Sequence, residues 1–142
     1  MKSEDRAKII VSWIKDYCKS IKKQPVTLVV GVSGGIDSAV TSTLCAKTCL
    51  KTIAVSMPIR QNKDQHNLSL LQLKWLEDNF DNIETQVINL DDIFNSFDHT
   101  MKSFNSELAF ANSRSRLRMV TLYQIAQSKK GIVVGTGNKV ED

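Results

Sequence analysis

From Gly31 the chain reads Gly31-Val32-Ser33-Gly34-Gly35-Ile36-Asp37-Ser38, directly after the apolar run Thr27-Leu28-Val29-Val30. A buried strand that breaks into Ser-Gly-Gly and restarts as a helix forms a cradle for phosphate. Its backbone N–H groups converge, and the new helix points its positive end at the anion. The glycines let the backbone approach where a Cβ would obstruct it. Ser33 and Ser38 add hydroxyl donors, and Asp37 offers a hard carboxylate oxygen suited to magnesium. No Gly-Lys-Ser/Thr follows, which excludes the phosphate loop of kinases and GTPases. Turn chemistry alone accounts for the glycines, but not for the whole string.

A second group, Asn112-Ser113-Arg114-Ser115-Arg116-Leu117-Arg118-Met119, sets three arginines in five residues. At about 100° per residue, Arg114 and Arg118 share a helix face while Arg116 points almost opposite, so they do not form one solvated stripe. The same wheel puts Ala111, Ser115, Met119, Leu122 and Ala126 on one buried face. Phe110, Leu117 and Val120 fall on a different side, where a subunit contact is expected. A third group, Gly135-Thr136-Gly137-Asn138-Lys139-Val140-Glu141-Asp142, ends a strand as the first loop does and adds hydroxyl, amide and carboxylate groups. Such a strand end is usually just a turn; beside a phosphate loop on the same sheet edge, it points to a joint nucleotide site.

The elements that must hold these groups follow from periodicity. Ala7, Ile10, Val11, Ile14, Tyr17, Cys18 and Ile21 predict an amphipathic helix from an N-cap at Ser3 to Lys23, ended by Gln24-Pro25. Strands are expected at 27–32, 52–57, 83–90 and 132–135. A helix runs from Ile36 to about Leu50, and a second begins at Asp64 and continues toward Phe80. A third opens at Asp91-Asp92 with Ile93, Phe94, Phe97, Met101 and Phe104 inward. Residues 105–112 form a connection of undefined shape, and a helix covers about 113–128. The alternation predicts a single α/β domain with a parallel sheet, helices on both faces, and ligand beyond the carboxyl ends of the strands.

Composition narrows the classes. With 42% hydrophobic and 24% charged residues in 142, the chain can build one ordinary globular core. Its apolar runs are too short to cross a membrane, and no secretion signal opens it. Cys18, Cys45 and Cys49 lack zinc or disulfide spacing, so reduced thiols in a cytoplasm are expected. A net charge of +4 suits an anionic ligand or RNA equally and decides nothing alone. His66 and His99 stand singly and are expected to be structural or surface groups.

The string Ser33 to Ser38 after a strand resembles the pyrophosphate-grasping loop of the ATP pyrophosphatases, which split ATP between its α- and β-phosphates. Followed by Asn112-x-x-x-Arg116-x-Arg118-Met119-x-x-Leu122-Tyr123 and then Val133-x-Gly135-Thr136-Gly137-Asn138-Lys139-x-Glu141, the order resembles ammonia-dependent NAD synthetases. The resemblance implies a Rossmann-like fold of the adenine nucleotide alpha hydrolase type. It also implies ATP-dependent amidation of nicotinic acid adenine dinucleotide (deamido-NAD) by ammonia in a cytoplasmic homodimer, with no nucleic-acid or membrane partner. Carried over by position, Gly31, Val32, Ser33, Gly34, Gly35, Ile36, Asp37, Ser38 and Thr136 would contact ATP. Asp37 and Glu141 would bind magnesium, and Arg116 would contact deamido-NAD. No side chain is implied as nucleophile or general base.

The sequence departs from the family pattern in places. Ser115 stands where many members have Ala, Ser56 where some place an arginine near the adenine, and Val140 where a small residue is usual. Family members continue past position 142, so residues 1–142 are expected to be an N-terminal portion of the ATP-pyrophosphatase domain, binding ATP weakly without making NAD. Another ATP pyrophosphatase, GMP synthetase-like or tRNA-modifying, would need cysteine motifs or a basic extension that this sequence lacks. An inactive nucleotide-binding module is the other alternative, separated by binding and turnover assays.

Overall fold

The computed structural model describes residues 1–21 and 26–137. Five helices and four strands alternate: α1 (Ser3–Ile21), β1 (Leu28–Gly31), α2 (Ile36–Lys47), β2 (Thr52–Ser56), α3 (Lys63–Asn79), β3 (Ile83–Val87), α4 (Asp91–Thr100), α5 (Glu107–Ser128) and β4 (Ile132–Val133), with a 3₁₀ turn at Lys102–Phe104. The strands form one parallel sheet in the order β3-β2-β1-β4. The predicted α/β class and two-faced sheet are as observed. Among the described residues no helix is long and apolar enough to cross a membrane.

The central strands β1 and β2 are buried along almost their whole length, with apolar runs at 28–30 and 53–55, because both faces are covered. Successive side chains of β1 alternate between two cores. Leu28 and Val30 join Ile14 and Cys18 of α1, Cys45 of α2 and Leu76 of α3. Val29 joins Ile53 and Val55 of β2, Phe94 of α4, and Leu122 and Ala126 of α5. The helices thus divide three and two across the sheet. Burial pushes the Cys45 thiol up to about 12, with Cys18 adding to the shift, so this cysteine stays protonated and unreactive.

Several boundaries differ from the sequence reading, each for a local reason. Ser3 lies inside α1 rather than capping it, and Gln24-Pro25 fall outside the described residues. The cap of α3 is Asn62, whose side chain accepts from the N–H groups of Asp64 and Gln65. α2 ends at Lys47, where Thr48 closes it and Cys49 turns to a φ of 64°. α5 begins six residues earlier than expected, because Ser106 caps it through Ala109 N–H and Glu107 complements its first turn. The undefined connection is therefore mostly helix. On α4 only Phe94 is buried, while Ile93 and Phe97, and Phe104 of the 3₁₀ turn that follows, are exposed. One further correction concerns the second apolar side of α5. Phe110 and Leu117 pack into the protein's own core, where the Phe110 ring meets Phe94 edge-on at 6.0 Å. α4 fills the place that a subunit contact was expected to occupy, and Val120 alone of that trio stays exposed.

Candidate nucleotide site

β1 delivers the glycine-rich loop to the carboxyl edge of the sheet, and two close approaches fix its path. A Cβ on Gly31 would stand 3.3 Å from Met57 Cε and 3.5 Å from Leu122 Cδ1. Gly34 turns at a φ of +94°, and a Cβ there would fall 2.4 Å from the Gln65 carbonyl oxygen. The loop is also fastened from α3 and the segment before it: Gln61 Nε2 and Gln65 Nε2 donate to the Ser33 carbonyl at 3.1 and 3.0 Å. Within the loop, Ser33 N–H donates to Ser38 Oγ at 3.1 Å, and Gly35 N–H donates to Ser33 Oγ at 3.3 Å. The two hydroxyls lie 3.2 Å apart. The N-cap of α2 is Gly35, and no side chain caps that helix. Its first amides and macrodipole therefore offer an anion what a capping carboxylate would otherwise take.

Beside the loop lies a cavity of about 240 Å³. Gly31, Val32, Ser33 and Ser38 form one wall, and Gly135 and Thr136, just beyond β4, form another. α5 closes the third side with Ser115, Arg118, Met119 and Leu122. The two strand ends singled out in the sequence thus meet at one site. Gly34, Gly35 and Ile36 border the opposite flank of the loop, toward Leu71 and Trp75 of α3. Asp37 sits half-buried in the first turn of α2, where its carbonyl accepts from Thr41 Oγ1 at 2.8 Å. Glu141 lies outside the described residues. Among those described, no three His, Cys, Asp or Glu side chains gather into a metal-binding group.

The arginines of α5 separate as the helical wheel requires. Arg116 is exposed on the outer side, with Nη1 donating to the Asn112 carbonyl at 3.3 Å, and does not line the cavity. Arg114 packs over the Phe94 ring at 5.5 Å. Arg118, assigned no role from the sequence, reaches the cavity wall, where its Nε donates to the Met57 carbonyl at 2.9 Å. Burial, and next the charge of Arg114, pull its pKa below the usual guanidinium value. The signal was present in the pattern: Arg118 stands one turn before the buried Leu122. Gln61 and Gln65 were missed because amides fastening a loop carry no sequence signature. Ser56 is buried and shares a 2.9 Å hydrogen bond with Ser69, which gives it a structural role.

The profile of the family described as NAD synthase matches residues 7–142. An NH(3)-dependent NAD(+) synthetase of Carboxydothermus hydrogenoformans is 33% identical over 143 residues, covering 97% of this chain and 56% of the relative. One from Saccharolobus solfataricus is 38% identical over 133 residues, covering 93% and 46%. The fold superposes on an NMN synthetase from Francisella tularensis with a TM-score of 0.85 at 32% identity, covering 97% of this chain and 56% of that one. It superposes equally well, at 0.85 and 26% identity, on an NH3-dependent NAD synthetase from Campylobacter jejuni, covering 99% and 59%. The chain spans about half the length of these relatives. Matched by that profile from residue 7 onward, and 33% and 38% identical to two such relatives over nearly its whole length, the protein is a member of the NAD synthase family.

Proposed function

We propose that the protein amidates a nucleotide-linked carboxylate, that of deamido-NAD, with ammonia at the expense of ATP, releasing NAD, AMP and pyrophosphate. The observation that carries this reading is the cavity shared by the phosphate loop, Thr136 and α5 at the uncapped N-terminus of α2. A carboxylate resists attack by ammonia because charge and resonance make its carbon a poor electrophile. Attack of its oxygen on the α-phosphorus of ATP forms an O–P bond and breaks the bond to pyrophosphate. Ammonia then adds to the carbonyl of the mixed anhydride, AMP leaves with the former carboxylate oxygen, and a proton is lost. The uncapped first turn of α2 would stabilise the charge growing on the departing pyrophosphate.

Magnesium fits the donor chemistry of Asp37. Asp37 supplies a hard oxygen at the helix start beside the loop, and we assign Glu141 as its companion on the resemblance of the third motif. When bound, the ion neutralises phosphate charge. We place Arg116 at the dinucleotide, outside the ATP cavity. Near it on the outer arc of α5, Leu108, Val120 and Tyr123 are 74%, 64% and 59% exposed, and this stripe supports a homodimer with the dinucleotide near its boundary. Sedimentation of the protein at micromolar concentration is expected to give twice the monomer mass, and a monomer would end that assignment. The cytoplasm, where ATP and reduced thiols coexist, is the proposed compartment.

The test of the reaction is turnover. Given ATP, magnesium and ammonium, the full-length enzyme is expected to convert deamido-NAD to NAD with one AMP per NAD, whereas residues 1–142 alone are expected to make none. Because one relative is an NMN synthetase, the acid form of that mononucleotide is the control substrate, and preference for it would replace deamido-NAD in this reading. Arg116→Lys loses the planar fork that grips phosphate or carboxylate and is expected to raise the KM for deamido-NAD about tenfold or more, leaving that for ATP unchanged. Arg114→Lys, which disturbs only the stacking on Phe94, should move neither. Equal effects of the two would remove the Arg116 assignment.

A further inference from the structure

Arg118 is the one charged side chain among the described residues that line the cavity. Its environment does not neutralise it. None of the ion pairs formed among the described residues includes it, and its neighbour in charge is another arginine. A half-buried guanidinium in that setting gains from an anion brought to it. Its orientation is already fixed, because Nε is spent on the Met57 carbonyl at 2.9 Å. The remaining donors, on the two Nη atoms, form the planar edge that fits two oxygens of a phosphate.

We propose that Arg118 grips the α-phosphate of the bound nucleotide. The assignment rests on the nucleotide reading above and names a residue for the part of ATP on which the transfer occurs. The lining is of two kinds. Met57 and Leu122, which meet at Gly31, are apolar and suit a nucleoside, while the Ser33 and Ser38 hydroxyls, 3.2 Å apart in the loop that opens α2, suit the terminal phosphates. The 2.9 Å bond from Arg118 Nε to the Met57 carbonyl sets its charge beside Met57, among the apolar lining residues. The phosphate nearest a nucleoside is the α-phosphate. During transfer the new O–P bond forms there as the bond to pyrophosphate breaks, and a fixed guanidinium stabilises the crowded, negatively charged phosphorus centre without moving.

Binding of AMP, adenosine and inorganic pyrophosphate to the chain and to its Arg118→Gln and Arg118→Lys variants, measured by calorimetry, tests this. Arg118→Gln is expected to weaken AMP about 10- to 100-fold while adenosine and pyrophosphate change by less than about twofold, because only AMP presents the α-phosphate beside the nucleoside. Arg118→Lys keeps the charge and a donor for the Met57 carbonyl, and should fall between the parent and the glutamine variant. A distorted cavity would weaken AMP and adenosine alike in both variants, and that outcome, or unchanged AMP binding, would overturn the assignment. A parent chain that binds none of the three ligands would instead overturn the nucleotide reading itself.

Discussion

Gly34→Ala is expected to abolish tight ATP binding while leaving the sheet folded. Gly34 holds a φ of +94°, and the added methyl would be driven to 2.4 Å from the Gln65 carbonyl oxygen. The left-handed backbone costs an L-residue about 1–2 kcal/mol, and the clash comes on top. A backbone oxygen on the first turn of a capped helix does not yield, because Asn62 pins that turn through the N–H groups of Asp64 and Gln65. The loop must therefore lift away from α3, breaking the Gln61 and Gln65 bonds to the Ser33 carbonyl. Two charge-assisted contacts to phosphate, at about 1.5–3 kcal/mol each, are lost with it. ATP affinity should fall by more than about a hundredfold. Calorimetric titration alongside far-ultraviolet circular dichroism checks both halves, and near-parental affinity would show that the loop does not bind phosphate.

Phe94→Ala is expected to cost the fold about 3–5 kcal/mol, the range for a large aromatic removed from a core. Phe94 is 1% exposed and joins three sets of partners. Its ring meets Phe97 at 6.1 Å and Phe110 at 6.0 Å, and Arg60 and Arg114 stack against it at 5.1 and 5.5 Å. The Arg60 side chain is held in turn by Asn95 and by an ion pair with Asp98 at 2.8 Å. Removing the ring thus unties α4, α5 and the segment after β2 together. That segment carries the Met57 carbonyl that orients Arg118, so the defect should reach the cavity. The midpoint of thermal unfolding should drop by about 10–20 °C. A drop of only a few degrees would show that α4 contributes little to this core.

The contrast between these two positions shows what the sequence made legible. Gly34 was readable as a turn because a Gly-Gly break after an apolar strand calls for backbone that other residues resist, and its φ of +94° is of that kind. The four strands and the shared edge of the two loops were readable from local pattern too: β1 and β2 carry short apolar runs because both their faces are covered. The partners of α5 were not. A helical wheel separates Phe110 and Leu117 from Leu122 and Ala126, but it does not say that α4 lies against the first pair while β1 lies against the second. Both sides meet the same core, so the apolar breadth that suggested a second subunit is explained by Phe94. Arg118 escaped for a related reason. An arginine in a polar triplet reads as solvated until the depth of the cavity beside Leu122 is known.

The central claim is that the carboxyl edge between β1 and β4 binds ATP through the loop from Ser33 to Ser38. Titration of the isotopically labelled chain with ATP and magnesium, followed through its backbone amide resonances, tests it most directly. Saturable shifts should concentrate on Ser33, Gly34, Gly35, Asp37 and Ser38, with Thr136 following the same curve. In Asp37→Asn, the gain in affinity that magnesium brings should disappear while the shifts stay on the same residues. Shifts that fail to saturate, or that gather instead around Leu71 and Trp75 on the far side of the loop, would contradict the account.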